Sequence, residues 1–196
     1  LPADRPEGEW QVLQPRERGR EYDVDHLGDH FYLRTNDEAK NFRLMKAPVA
    51  TPSREHWTEV IPHREDAYLS GFDVFRDHLV VAERRGGLVH LRVIPWSGAA
   101  EHELDFGEPA YLAYIDANPE LDTAVLRFGY TSMTTPRSTY DYDMTTRERT
   151  LLKRDEVVGG FDPAAYVTER LHAPARDGVQ VPISIVYRRD FVRNGK

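Results

Sequence analysis

The chain has 196 residues, 40% hydrophobic and 30% charged, which is ordinary for a soluble protein of one large or two small domains. It contains no Cys, so disulfides, thiolate metal sites and cysteine nucleophiles are excluded, and the composition suits a reducing cytoplasm. The net charge of −7 argues against a nucleic-acid binder, which needs clustered Lys and Arg, and is also a common solubility charge. No run approaches the roughly 18 apolar residues of a membrane span, and the polar, Pro-rich start LPADRPEGEW does not read as a signal peptide.

In chain order the sequence reads as short strands separated by Gly, Pro, Asn and Asp, without sustained helical periodicity. Trp10–Leu13 reads as the fourth strand of a preceding unit. Three units of four strands then follow. Their first strands are Tyr22–Asp25, Leu69–Val74 and Tyr111–Ile115. The second strands align Asp29–Leu33 with Asp77–Val81, an offset of 48, and with Asp122–Leu126, 45 residues further on. The third strands are Phe42–Met45, Val89–Ile94 and Thr139–Met144. The fourth are Trp57–Ile61, Glu103–Phe106 and Thr150–Leu152. Four strands recurring every 42 to 50 residues is the spacing of β-propeller blades. Such blades bury their faces only against neighbours, so three of them form an arc with two uncovered faces. The chain is therefore expected to be part of a larger protein, or to assemble.

Gly159–Arg188 breaks the repeat. Asp162-Pro163-Ala164-Ala165 predicts a single helical turn, with Asp as N-cap and Pro at the first position. Val167–Ala175 and Val179–Tyr187 then form a hairpin around Arg176-Asp177-Gly178, pairing Val167 with Tyr187, Leu171 with Ile183 and Ala173 with Val181. Pro182 cannot donate to a ladder, so its strand is expected at an edge or with a bulge. A hairpin alone is marginal in water, and this one reads as the first two strands of a further domain.

The side chains that could carry chemistry do not converge. His26 and His30 have the spacing of two zinc ligands on a helix, but Gly28-Asp29 between them points to a surface turn. His56, His63, His78, His90, His102 and His172 are scattered. Asp141 and Asp143 share a strand face about 7 Å apart, near the separation in an inverting glycosidase. Their alternation with Tyr140, Tyr142 and Met144 reads instead as a solvated face behind an aromatic one. Ser53, Ser70, Ser97, Ser132, Ser138 and Ser184 all lack a nucleophile elbow. Gly86-Gly87 and Gly159-Gly160 read as turn glycines, and Lys153-Arg154 and Arg188-Arg189 as charged turns. No catalytic, cofactor-binding or metal-binding residue is assigned.

The run Tyr130–Asp143 (YTSMTTPRSTYDYD) and Thr145–Lys153 (TTRERTLLK) resembles the end of the propeller in the oligopeptidase B branch of the prolyl oligopeptidase family of serine peptidases. Gly160–Pro163 (GFDP), Tyr166–Leu171 (YVTERL) and Ala175–Tyr187 (ARDGVQVPISIVY) resemble that family's passage from propeller into peptidase domain. Glu21–His26 (EYDVDH) and Val60–Glu65 (VIPHRE) are similar to its blade sequences. The resemblance implies a seven-bladed propeller over an α/β-hydrolase domain that cuts short peptides after Lys or Arg, with hinge-like opening admitting substrate. It also implies that the catalytic Ser, Asp, His and oxyanion-hole Tyr lie beyond this sequence.

The expected architecture is thus all-β: residues 1–158 as the C-terminal blades of a propeller, and 159–196 as the opening hairpin of the peptidase domain. The expected role is gating and substrate exclusion without chemistry of its own. The expected partners are short basic peptides, the missing peptidase domain and the remaining blades, with no nucleic acid, membrane or cofactor. The alternative is a free-standing binding module that closes into a ring as a homo-oligomer. A small glycosidase using Asp141 and Asp143 is a third reading.

Overall fold

The computed structural model describes residues 6–10, 12–192 and 194–195. Apart from two single 3₁₀ turns, the regular structure among these residues is β. Two compact units divide it, Leu1–Glu65 and Asp66–Lys196.

The first unit holds one four-stranded antiparallel sheet in sequence order, β1 (Tyr22–Leu27), β2 (His30–Thr35), β3 (Arg43–Pro48) and β4 (Thr58–Ile61). Leu33, Leu44 and Ala47 are fully buried within it. Its β2–β3 loop carries Asp37, a buried carboxylate paired with Arg54 at 2.7 Å and Arg20 at 2.9 Å, with Arg43 at 3.6 Å. Burying a carboxylate needs this kind of compensation, because an unpaired charge in the interior is strongly destabilising.

The second unit holds two more such sheets. One runs β5 (Tyr68–Val74), β6 (His78–Arg85), β7 (Leu88–Pro95) and β8 (His102–Glu103). The other runs β9 (Tyr111–Ile115), β10 (Val125–Ser132), β11 (Ser138–Asp143) and β12 (Arg149–Arg154). A two-stranded sheet follows, β13 (Tyr166–Pro174) and β14 (Gln180–Arg188). Three four-stranded sheets and a hairpin are the blades and the terminal element expected from the sequence.

The two sheets of the second unit stack face to face. In β10 and β11 the register sets Leu126 beside Tyr142 and Phe128 beside Tyr140, so alternate residues share one face. That face packs on Val80, Ala82, Val89, Leu91 and Val93 of the preceding sheet, forming one continuous core. The run Leu79–Ala82 is buried on both faces, which explains its unbroken apolar character. His102 crosses the same seam, its Nε2 lying 2.8 Å from the Tyr142 hydroxyl.

Five details differ from the sequence reading. The second-strand alignment of the third blade is displaced by two residues. The carbonyls of Asp29 and Asp77 accept the amides of Val49 and Trp96, both at 2.9 Å, and the matching acceptor is Ala124, bonded to Met144 at 2.8 Å. Asp122 sits in the longer β9–β10 connection, where it pairs with Arg76 at 2.7 Å. The strand expected over Glu103–Phe106 is only His102–Glu103, because Phe106 leaves the ladder to stack on Tyr130 and pack against Tyr111. Lys153-Arg154 belongs to strand β12 and is not a turn, with Arg154 Nε donating to Ser138 at 3.1 Å. Arg188 likewise ends β14, whereas Arg189 does lie in the expected turn, its amide donating to the Ala165 carbonyl at 2.7 Å. The strand expected over Trp10–Leu13 includes Gln11, outside the described residues; Trp10, Val12 and Leu13 are not in a strand.

The His102 contact carries a pH prediction. Burial holds its imidazole below the usual range, assisted by the charges of Arg147 and His78. A folded-state value below the unfolded one, about 6.5, means the unfolded chain takes up the proton first. The stabilisation is therefore complete above about pH 6.5 and is lost as pH falls toward the lowered folded value. Urea midpoints at pH 7.5 and 5.5 are expected to drop more for the unaltered chain than for His102→Gln. Equal drops would remove His102 from the seam's pH response.

Candidate functional site

The hairpin meets the second unit's sheets at one rim through a polar contact centred on Arg170. β13 and β14 pair in the expected register, Leu171 with Ile183 and Ala173 with Val181. The Gly178 amide donates to the Ala175 carbonyl at 2.9 Å to close the turn. Asp162 caps the preceding 3₁₀ turn, accepting from the Ala164 amide at 2.9 Å. On the face carrying Arg170, opposite Ser184, the guanidinium donates to the Ser184 hydroxyl at 3.1 Å and to the Gly86 carbonyl. Gly86 and Gly87 form the two-residue β6–β7 turn, with φ of 54° and 80°. Consecutive left-handed residues are what a type I′ hairpin requires. A groove of about 240 Å³ runs beside this clasp, with Tyr111, Leu112, Met133 and Arg170 among its lining residues.

A carboxylate stiffens the neighbouring part of the rim. Glu108 accepts from the hydroxyls of Tyr130 at 2.7 Å, Thr135 at 2.8 Å and Thr134 at 3.2 Å. Burial pushes the Glu108 carboxyl up, but hydrogen bonds from Ser132, Tyr130, Thr135 and Thr134 outweigh it, and the net shift is downward. Burial, and then the same carboxylate, push the Tyr130 phenol upward. The arrangement suits holding a loop and presenting a groove. It places no polarised nucleophile beside a base.

The sequence-predicted side chains settle as follows. His26 and His30 flank the Gly28-Asp29 hairpin turn on opposite strands, not along one strand. His26 is paired with Phe31 and His30 with Leu27, adjacent register positions whose side chains alternate between faces. Asp141 is engaged by Arg127 through two hydrogen bonds of 2.8 and 2.9 Å. Asp143 accepts the amides of Thr145 and Thr146, both at 2.8 Å, as the organiser of a turn. Each carboxylate is thus engaged by partners of its own. Ser132 accepts two loop amides, and Ser184 is held by Arg170. Among the described residues, no group of three or more His, Asp or Glu is placed to hold a metal ion, and no helix is long and apolar enough to cross a membrane.

One serine has an imidazole neighbour that the sequence reading did not bring out. Ser53 Oγ lies 3.1 Å from His56 Nδ1 and 3.0 Å from the Glu55 carboxylate. Glu55 and His56 are exposed on one 3₁₀ turn, and the half-buried Ser53 immediately precedes it. A relay uses opposite ring nitrogens for nucleophile and carboxylate. Here Nδ1 faces both, so the cluster is a local turn network. The Asp37 ion cluster and the Arg170 clasp were also missed, because no local spacing marks partners that meet through folding.

Residues 1–155 match the family model for the prolyl oligopeptidase N-terminal β-propeller domain. Dipeptidyl aminopeptidase BI of Pseudoxanthomonas mexicana is 47% identical over 197 residues, an alignment covering 100% of this chain and 27% of that protein. The structure of oligopeptidase B from Trypanosoma brucei, a closed form with covalently bound antipain, superposes with a TM-score of 0.80 and 34% identity over 92% of this chain and 27% of that one. Oligopeptidase B from Leishmania major gives a TM-score of 0.80 and 33% identity over 92% of this chain and 26% of that one. The chain thus spans about a quarter of the length of these relatives.

Proposed function

We propose, from the premise that this chain belongs to the prolyl oligopeptidase family through its N-terminal β-propeller, that it is the non-catalytic, substrate-excluding part of a serine oligopeptidase cleaving short peptides after Lys or Arg. In this reading residues 1–158 are C-terminal blades and 159–196 open the peptidase domain. The rest of that domain and the remaining blades complete the protein. The observation that carries the reading is the Arg170 clasp, which ties the hairpin following the last blade to the rim of the blade before it. A blade array so fastened to the first strands of a catalytic domain limits what reaches that domain. The basic preference is supported by likeness to two oligopeptidases B, and the Cys-free composition suits a cytoplasmic enzyme.

The purified 196-residue chain is expected to leave Arg- and Lys-linked chromogenic peptides uncut, while the full-length protein cuts them and spares folded proteins. Hydrolysis by the 196-residue chain that a serine-directed inhibitor abolishes would overturn the non-catalytic assignment. Sedimentation tests the alternative of a free-standing module, which requires a discrete symmetric oligomer of the chain.

A further inference from the structure

β5 and β9 are each the end strand of their sheet, so each has one ladder edge without a strand partner in its sheet. A slot of about 310 Å³ lies between them, with Ser70, Gly71, Asp73, Arg84, Leu112 and Tyr114 among its lining residues. That size is at the lower end for small-molecule sites, enough for a peptide end and too small for a folded chain. The wall is shaped by a bulge between Leu69 and Gly71. Ser70 turns its hydroxyl to the Ala82 carbonyl at 2.9 Å, and nothing lies within 4 Å of where a Gly71 Cβ would sit. The bulge leaves this wall open.

The charges of the slot are segregated. Arg84 is exposed and forms no ion pair among the described residues, although its chain neighbours do: Glu83 with Arg92 at 2.8 Å and Arg85 with Glu103. Asp73, at the other end, accepts from Asn118 at 3.0 Å. Arg84 is registered opposite Tyr68 and Asp73 opposite Val80, four residues apart along β6, or about 13 Å. The cationic end is next to the Gly86-Gly87 turn, on the hairpin side.

The geometry points to a carboxylate-binding slot in which Arg84 takes the C-terminal carboxylate of a short peptide, an assignment that rests on the peptidase reading above. A guanidinium pairs a carboxylate bidentately. A single guanidinium with Asp73 in the same slot suits a monoanion on a chain that is otherwise neutral or basic, and disfavours a phosphate dianion. A peptide running from Arg84 toward Asp73 spans about four extended residues, with the acidic end favouring a basic side chain or free amino terminus.

The test uses the full-length protein and matched peptides with one internal Arg and no acidic side chain, ending in either a free acid or an amide. The free acid is expected to show a KM lower by about tenfold, the scale of a charge-assisted hydrogen bond, with kcat little changed. Arg84→Gln should bring the acid-to-amide ratio close to one, and Arg84→Lys should keep part of it. A blocked arginyl chromogenic amide, which has no carboxylate, should respond to both substitutions less than the free-acid peptide does. The same ratio in Arg84→Gln as in the unaltered protein overturns the assignment, as does a ratio of one in the unaltered protein. An amide peptide with a Glu side chain that gains as much as the free acid overturns the terminal-carboxylate source. Anisotropy of the same peptides, dye-labelled, on inhibitor-blocked protein reads the preference without turnover. Loss of cleavage alone then counts against the peptidase reading, and loss of the Arg84 dependence against the slot.

Discussion

Replacing Phe128 by Ala is expected to cost about 3–5 kcal/mol, the largest single loss of stability in the second unit. Phe128 is fully buried at the seam between the two stacked sheets. Its ring stacks on Tyr140 at 5.4 Å and meets Phe106 edge-on at 5.8 Å. Truncation therefore removes transfer free energy, leaves a cavity that neighbouring strands cannot close, and forfeits two aromatic contacts. Against a typical total of about 5–15 kcal/mol, that is about a fifth of the stability or more. Leu152→Ala is the control, because Leu152 is half-exposed on the outer strand β12 and its loss should stay within about 0.5 kcal/mol. Urea unfolding of both variants decides it. Similar midpoints for Phe128→Ala and Leu152→Ala would mean that the two sheets are not held together through this face.

The same residues show what the sequence made legible. The period-two alternation of Ser138–Asp143 disclosed both the strand and its aromatic face, and Tyr142 is buried as that pattern requires. The hairpin register from Val167–Tyr187 to Ala173–Val181 followed from the turn chemistry of Gly178 and from facing apolar positions. Such features are local, and local rules reach them. Asp122 misled because an Asp before an apolar run resembles Asp29 and Asp77, while loop length decides where β10 begins. Phe106 misled because its apolar character was read as strand continuation, when what it satisfies is a ring cluster with Tyr111 and Tyr130. The rim clasp was out of reach for a different reason. Arg170 and Gly86 are 84 residues apart, and neither has a local pattern that names the other.

That clasp yields the second large effect, in the attachment of the hairpin more than in overall stability. A Cβ placed on Gly86 would meet nothing within 4 Å, whereas one on Gly87 would fall 2.7 Å from an Arg170 guanidinium nitrogen and 3.4 Å from Pro182 Cγ. Both glycines have positive φ, so Gly86→Ala and Gly87→Ala share a left-handed backbone penalty of about 1–2 kcal/mol. Only Gly87→Ala also displaces Arg170, whose guanidinium can swing away but then gives up the Gly86 carbonyl. A hydrogen bond from a charged group contributes about 1.5–3 kcal/mol, reduced here by exposure to solvent. Gly87→Ala should therefore raise hydrogen exchange in Tyr166–Arg188 well above the level in Gly86→Ala, while exchange in β10 and β11 changes alike in the two variants. Combining Gly87→Ala with Arg170→Ala should add little to the hairpin's exchange beyond Arg170→Ala alone, since both remove one interaction. If the two glycine variants loosen the hairpin equally, the φ penalty accounts for everything and Arg170 does not fasten it. Under the gating role proposed above, a loosened hairpin in the full-length protein is expected to admit larger peptides, because the blades and the proposed peptidase domain would part more readily at this rim. Unchanged size selectivity alongside a mobile hairpin would separate the clasp from the gate.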